Sequence, residues 1–253
     1  MKITILGCGG AGGVPLIGGN WGDCDPNNPK NARTRVSLKI EEGGTTLLVD
    51  TSPDLREQLL KAGLDDLTAI LYTHEHADHT HGIDNIRSIN WLTGHTVPLY
   101  ADARTMQELK KRFDYIFEPM KAARFMKPSI EPHVINGPLQ FETIKALSFS
   151  QQHGDAFSLG YRFNDFGYST DVSALDEKAF EILEGVKVWV VGAIREKPHA
   201  KHANLETVLS WIERIKPARA YLTHMDHSMD YDTLMRRLPD GVEPAYDGLE
   251  IDL

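Results

Sequence analysis

The sequence predicts an α/β protein, and three observations carry that prediction. Strand-like runs in the first third come as hairpins, whereas later ones alternate with helices, which favours α/β over all-β. The apolar run Thr68-Ala69-Ile70-Leu71-Tyr72 reads as a buried strand and ends in Thr73-His74-Glu75-His76-Ala77-Asp78-His79, with four potential metal ligands in six residues. A second strand-like run, Arg219–Leu222, ends in Thr223-His224.

In chain order, Lys2–Leu6 is the first strand. Gly7–Gly19 is glycine-rich and forms loops or tight turns. Its Gly-x-Gly-x-x-Gly register lacks the Lys-Ser/Thr of a phosphate loop and leads into Val14-Pro15 instead of a helix. It therefore reads as backbone brought close to a functional site. Asn20–Arg35 is polar and expected at the surface. Ser37–Ile40 and Thr46–Asp50 pair as a hairpin around Glu42-Gly43-Gly44. Pro53–Lys61 is a helix opening on proline and ending at Gly63. Leu67–Tyr72 is the strand before the histidine cluster, and a helix beginning at Ala77–Thr80 runs toward Ile86.

Val97–Tyr100 is a strand and Ala103–Phe113 a helix. Asp114–Pro132, with Met120, Phe125 and Met126, has no clear period and reads as a lid or insertion. Leu139–Ser150 holds two short strands leading toward His153. Leu159–Phe163 and Gly167–Thr170 continue a sheet to Asp171. Val186–Val191 is a strand, Asn204–Ile215 a helix and Tyr231–Leu238 a last helix. No linker is long enough to separate two domains, so residues 1–253 are expected to form one. Leu71-Tyr72-Thr73-His74 and Tyr221-Leu222-Thr223-His224 echo each other too far apart for a tandem repeat of short units. They suggest a duplicated half-domain, each half delivering a histidine at a strand's carboxyl end.

The 253 residues can bury a large core, and 41% apolar and 25% charged residues are ordinary for a globular protein. A net charge of −9 argues against a general binder of nucleic acid or anionic membrane. Two cysteines, Cys8 and Cys24, do not make a disulfide framework and are expected as reduced thiols. The first apolar run is too short for a signal sequence, and nothing approaches a membrane span. The expectation is a soluble, cytoplasmic protein, with a homodimer as the default assembly.

Imidazole and carboxylate together suit zinc, manganese or iron, and the set holds too few thiolates for a purely structural zinc site. His74 and His76 can turn toward one point as the chain leaves the sheet. Asp78 and His79, in the first turn of the next helix, would reach a second point, as in binuclear hydrolytic sites. A histidine-rich surface loop is the competing reading, and the adjoining buried strand counts against it. Asp50, at a strand end, suits either an acceptor that fixes a ligand histidine or a helix cap. His81 and His95 are expected to be solvated or hydrogen-bonded, and His133, after Pro132, to lie in a loop. Arg87 and Arg195 lie nearest the motifs in sequence and are candidate phosphate contacts, with solvated surface as the default.

His74-x-His76-x-Asp78-His79 resembles the signature of the metallo-β-lactamase superfamily. His153 in Ser150-Gln151-Gln152-His153-Gly154, Asp171 in Tyr168-Ser169-Thr170-Asp171 and His224 in Tyr221-Leu222-Thr223-His224 match its further ligands in order, and Val49-Asp50-Thr51 resembles its strand end near the site. The resemblance spans essentially the whole chain. Gly7-Cys8-Gly9-Gly10-Ala11-Gly12-Gly13-Val14-Pro15, His199-Ala200-Lys201-His202-Ala203-Asn204-Leu205-Glu206-Thr207 and Leu222-Thr223-His224-Met225-Asp226-His227 are similar, more narrowly, to the PhnP-like phosphodiesterases.

This resemblance implies an αββα sandwich with its metals at one edge. It implies two divalent ions, manganese or zinc with iron also compatible: one on His74, His76 and His153, one on Asp78, His79 and His224, bridged by Asp171. It implies His202 as general acid or phosphate contact, with Asp78 also in the catalytic set and His199 a further substrate contact. PhnP-like proteins often carry a cysteine-rich loop for a structural zinc. Here Trp21-Gly22-Asp23-Cys24-Asp25-Pro26 keeps one cysteine, and Asp23, Cys24, Asp25 and His227 form a poor zinc set.

The expected reaction is hydrolysis of small cyclic or nucleotide-like phosphodiesters. Polymeric nucleic acid is disfavoured by charge, and no membrane is involved. A thioesterase or lactonase and a non-catalytic metal-dependent binding module are the alternatives, because one fold hosts many functions.

Overall fold

Short runs of Val, Ile and Leu, apolar on both faces, build two seven-stranded sheets in the computed structural model, which describes residues 1–117 and 129–253. In the first sheet β1 (Lys2–Gly7), β2 (Ser37–Glu42) and β3 (Thr45–Val49) run antiparallel, then β4 (Ala69–Leu71), β5 (Val97–Ala101) and β6 (Ile130–Val134) continue parallel to β3. In the second, β7 (Leu139–Phe141), β8 (Ile144–His153), β9 (Ala156–Phe163) and β10 (Phe166–Ser169) are antiparallel. There β11 (Val188–Gly192), β12 (Arg219–Thr223) and β13 (Val242–Pro244) continue parallel to β10. The last strand, β14 (Leu249–Asp252), returns to pair with β1.

Side-chain alternation distributes the core. Leu47, Val49, Ala69 and Leu71 face inward, against Tyr161, Phe163, Phe166 and Tyr168 of the second sheet. Leu48 and Ile70 face outward, under helices α1 (Leu55–Lys61), α2 (Ala77–Thr80), α3 (Ile86–Thr93), α4 (Ala103–Arg112) and α5 (Asp114–Phe117), which add Leu55, Leu59, Ile89 and Leu109. Ala179 and Leu183 of α6 (Glu177–Leu183) and Leu205 and Val208 of α7 (Leu205–Ile215) join the core beside the second sheet. A short α8 (Tyr231–Met235) follows β12. The result is the expected α/β protein, an αββα sandwich.

The two sheets share a topology, four strands followed by three parallel ones, but the tetrapeptide echo does not mark equivalent places. Counted from the switch to parallel pairing, β3 matches β10 and β4 matches β11, so β12 matches β5. The equivalent site residues are instead Asp50 after β3 and Asp171 after β10. Both are buried, with φ of 61° and 48°.

Other expectations need correction. Helix α1 begins at Leu55, not Pro53, and its cap Asp54 makes no side-chain capping bond because its carboxylate is taken by Arg35 at 2.7 Å. The last helix stops at Met235, ahead of Pro239, which restricts the residue before it. Asn20–Arg35 is not simply surface: Cys24, Asn31 and Arg33 are buried. Within the segment 114–132, read as a lid or insertion, the structure places α5 and the start of edge strand β6, while Met120, Phe125 and Met126 lie outside the described residues. Helices α3 and α6 and strands β13 and β14 are additional to the sequence reading. Among the described residues, no helix is long and apolar enough to cross a membrane.

The sheets are pinned together directly behind the histidine motif. Tyr161 of β9 donates its hydroxyl to the Tyr72 carbonyl at 2.6 Å, and Leu159 N donates to the Thr73 carbonyl at 2.8 Å. Replacing Tyr161 with Phe removes a buried donor and should lower unfolding free energy by about 1–3 kcal/mol, measured by chemical denaturation.

Candidate active site

Every candidate ligand except the helical pair sits at, or just beyond, the carboxyl end of a strand on one edge of the sandwich. His74 and His76 follow β4, His153 ends β8, Asp171 follows β10 and His224 follows β12, while Asp78 and His79 lie in α2. The motif segment is extended before α2, so Glu75 points away from its neighbours. Its carboxylate pairs with Arg104 of α4 at 2.8 Å, and its carbonyl accepts from Arg112 Nη1 at 2.5 Å. His74 and His76 thereby turn together to the opposite side, with His74 Nε2 2.8 Å from His76 Nδ1.

Two clusters form. His74, His76, His153 and Asp171 each place one ligand atom within 4.8 Å of the others, and so do Asp78, His79, Asp171 and His224. Asp171 belongs to both: Oδ1 lies 3.0 Å from His79 Nε2 and 3.0 Å from His224 Nε2, and Oδ2 lies 3.8 Å from His74 Nε2 and 3.6 Å from His153 Nε2.

The residues fit divalent metal. The buried Nε2 atoms of His79 and His224 make no properly aligned hydrogen bond despite the carboxylates beside them. The donor set of neutral imidazole and carboxylate is the one such metals take.

The outer ring nitrogens are held from behind. His79 Nδ1 meets Asp50 Oδ2 at 2.7 Å, His74 Nδ1 meets Thr73 Oγ1 at 3.0 Å, and His153 Nδ1 meets the Lys201 carbonyl at 2.9 Å. Asp50 also accepts Thr73 N and Oγ1, both at 2.8 Å. Of its two sequence readings, the buried acceptor behind a histidine is the one the structure shows.

Electrostatics follow from burial and neighbours. Burial pushes the Asp171 carboxyl up, but His224 and His79 outweigh it and hold the group well below its ordinary range. Burial likewise works against a charge on His79, and the carboxylates of Asp171, Asp78 and Asp50 reverse that and raise it. His74 is driven down by burial and by His79. His202 stands on the loop after β11, its ring stacked on His224 at 4.9 Å and edge-on to His153 at 4.8 Å. Burial and the surrounding imidazoles bring it down to about 3, against the pull of Asp171, so the ring is neutral near pH 7.

His199 lies 4.9 Å beyond His202, ring to ring, and is exposed. The remaining candidates are elsewhere. Arg87 pairs with Asp84, and Arg195 folds back onto the carbonyls of Lys197 and Pro198. His81 packs on Phe113 and His95 pairs with Asp66, while His133, read as a loop residue, lies instead in β6 and stacks on Tyr100. Asp23, Cys24, Asp25 and His227 do not converge, and the Cys24 thiol instead faces the Arg33 guanidinium at 3.9 Å. Sequence reasoning missed Thr73 and the arginines on Glu75. The threonine before each histidine in the strand echo was a signal for the first, and nothing local signalled the arginines.

The glycine segment does approach the site. Gly10 N bonds to the Met225 carbonyl at 3.0 Å, and a Cβ on Gly10 would stand 3.7 Å from the His224 ring. The role of Asp50 is measurable: Asp50→Asn should weaken metal binding about 10–100-fold in a chelator-competition titration. The imidazole would face an amide in place of a carboxylate.

A model of the β-lactamase superfamily domain matches residues 45–225. A solved diphosphatase of the PhnP family is 34% identical, with a TM-score of 0.91 over 100% of this chain and 97% of that one. Zn(2+)-bound PqqB from Methylobacterium extorquens, 20% identical, has the same fold at a TM-score of 0.76, with 100% of each chain covered. An octanoyltransferase of Porphyromonas gingivalis (strain ATCC BAA-308 / W83) is 30% identical over 256 residues, 99% of this chain and 51% of the relative. The chain thus spans about half the length of that curated relative. With its αββα fold and its clustered histidines and aspartates, the chain belongs to the metallo-β-lactamase superfamily and, within it, to the PhnP family.

Proposed function

We propose that the chain is a binuclear metal-dependent phosphodiesterase acting on small cyclic or nucleotide-like phosphodiesters. The observation that carries this reading is the pair of clusters sharing Asp171, with His202 stacked against one side. His74, His76 and His153 would hold one ion, Asp78, His79 and His224 the other, and Asp171 both. Manganese and zinc suit these ligands, and iron is compatible. When bound, the two ions supply Lewis acidity and bring the pKa of water from 15.7 toward about 7.

The protein's own groups do the rest. Asp171 stays ionised because its imidazole neighbours outweigh burial. Asp78, the more open carboxylate, orients the attacking water and accepts its proton. His202 enters as a neutral ring, and the negative charge of a bound phosphate favours its protonated form. That proton, taken up from solvent, passes to the leaving oxygen, while Asp78 releases the proton of the attacking water to solvent. His199, at the rim, contacts the substrate outside the reacting bond. The PhnP-family likeness to a diphosphatase supports phosphorus chemistry, and the net charge of −9 supports a small substrate over a polyanion.

One observation favours a second reading. The curated relative that contains a region like this chain is named for acyl transfer, which keeps an acyl thioesterase in view. Parallel assays with bis(p-nitrophenyl) phosphate and an acyl thioester, each with added manganese, separate the two, and turnover of neither would leave a binding module. His202→Ala should retain its metal by elemental analysis while kcat on the phosphodiester falls about 10²–10⁴-fold. Full activity in that variant would remove His202 from the mechanism.

A further inference from the structure

Arg33 is a buried cation, only 2% exposed, in the loop that precedes β2. Its two terminal nitrogens are held by neutral groups, while the buried Nε has no hydrogen-bond partner among the described residues. Nη2 donates to the Met229 carbonyl at 2.6 Å and to Asn31 Oδ1 at 3.2 Å, and Nη1 donates to the Asp226 carbonyl at 3.4 Å and lies 3.9 Å from Cys24 Sγ. Burying a guanidinium is costly unless its hydrogen bonds are met, and the contacts at Nη1 and Nη2 are what offset that cost here.

The carbonyls it holds are those of the turn immediately after His224. His224 has a φ of 54°, an uncommon conformation for a residue with a side chain, and it sits between Thr223 of β12 and Met225. Gly9 lies between the two segments, bridged to Arg35 on one side and Met225 on the other. A Cβ on Gly9 would come within 2.9 Å of the Arg33 carbonyl and 3.1 Å of its Cβ. The glycine is what lets three chain segments lie side by side there. Asn31 extends the clasp: its Oδ1 accepts from Tyr231 N at 2.8 Å, and its Nδ2 donates to Asp230 Oδ2 at 2.7 Å.

We propose that Arg33 is a positioning residue for His224. By clamping the carbonyls of Asp226 and Met229 it fixes the turn that presents the His224 ring to Asp78, His79 and Asp171. The clamp does with a guanidinium what a metal cross-link between the same two loops would do. The inference rests on reading Asp78, His79 and His224 as one metal site, and it is independent of which bond the enzyme cleaves.

The test is zinc titration of the metal-free full chain against a competing chelator, for wild type, Arg33→Lys, Arg33→Met and His224→Ala. Circular dichroism and thermal midpoints are followed in parallel. Wild type should bind in two steps, and His224→Ala identifies which step uses the Asp78, His79 and His224 cluster. Arg33→Met should weaken that step about 10–100-fold while leaving the His74, His76 and His153 step nearly unchanged. Arg33→Lys, which keeps the charge but not the forked donors, should fall between. If Arg33→Met does not fold, the lysine variant decides. Equal weakening of both steps, or weakening of neither in a folded variant, would overturn the assignment. Absence of any His224-dependent step in wild type would overturn the metal-site reading and the Arg33 proposal with it, an outcome distinct from failure of Arg33 alone.

Discussion

The carboxylate of Asp50 is the contact on which the site is built. It is fully buried, takes the backbone and hydroxyl donors of Thr73, and holds the Nδ1 of His79 at 2.7 Å. One side chain thus sets the end of β4, where His74 leaves the sheet, and the ring orientation of His79 in α2. Burial pushes the Asp50 carboxyl up, while His79 and the Thr73 donors draw it back. Its backbone lies in the left-handed region, where Asp is one of the few side-chain-bearing residues found with any frequency. A position that must turn sharply and also accept three hydrogen bonds is suited by aspartate, whereas glycine could supply only the turn.

The same solution recurs in the second sheet. Asp171 leaves β10 in the left-handed conformation, at the strand that matches β3. There the carboxylate points into the site, whereas Asp50 stands behind it. His224 also has a positive φ. Concentrating such backbone at one edge carries a cost of order 1–3 kcal/mol per residue, and the surrounding fold has to hold it. The inter-sheet bonds from Tyr161 and Leu159, the Arg104 and Arg112 contacts to Glu75, and the Arg33 clasp after His224 are where it does so. Each grips the main chain, or a side chain, one to five residues from a ligand histidine.

Charge balance explains why so many ionisable groups can share one buried place. Asp171 and Asp78 are held ionised by imidazoles, and His79 is favoured as a cation by carboxylates. His74, His153 and His202 are disfavoured as cations by burial, which leaves them neutral. Neutral His74 and His153 and the ionised carboxylates are already in the states that divalent metals require, whereas His79 and His224, raised by the carboxylates, would give up a proton to a bound ion.

The sequence by itself determined the α/β class, most strand positions and the ligand types. A buried strand running into His-x-His-x-Asp-His leaves few other readings, and alternating apolar runs mark the sheets. It did not determine the short edge strands β13 and β14 or the exact ends of helices, where local preference is weak and pairing with a neighbour decides. It misplaced the internal symmetry, because a tetrapeptide match carries no information about strand order. The pairing of Asp50 with Asp171 emerges only once both sheets are assembled. The family resemblance named His153, Asp171, His202 and His224 as partners of the motif, but their place against it is visible only in the tertiary structure, which also buries Arg33 against carbonyls nearly 200 residues away. Such contacts depend on which loops the two sheets bring to a common edge, and no local pattern of residues encodes that.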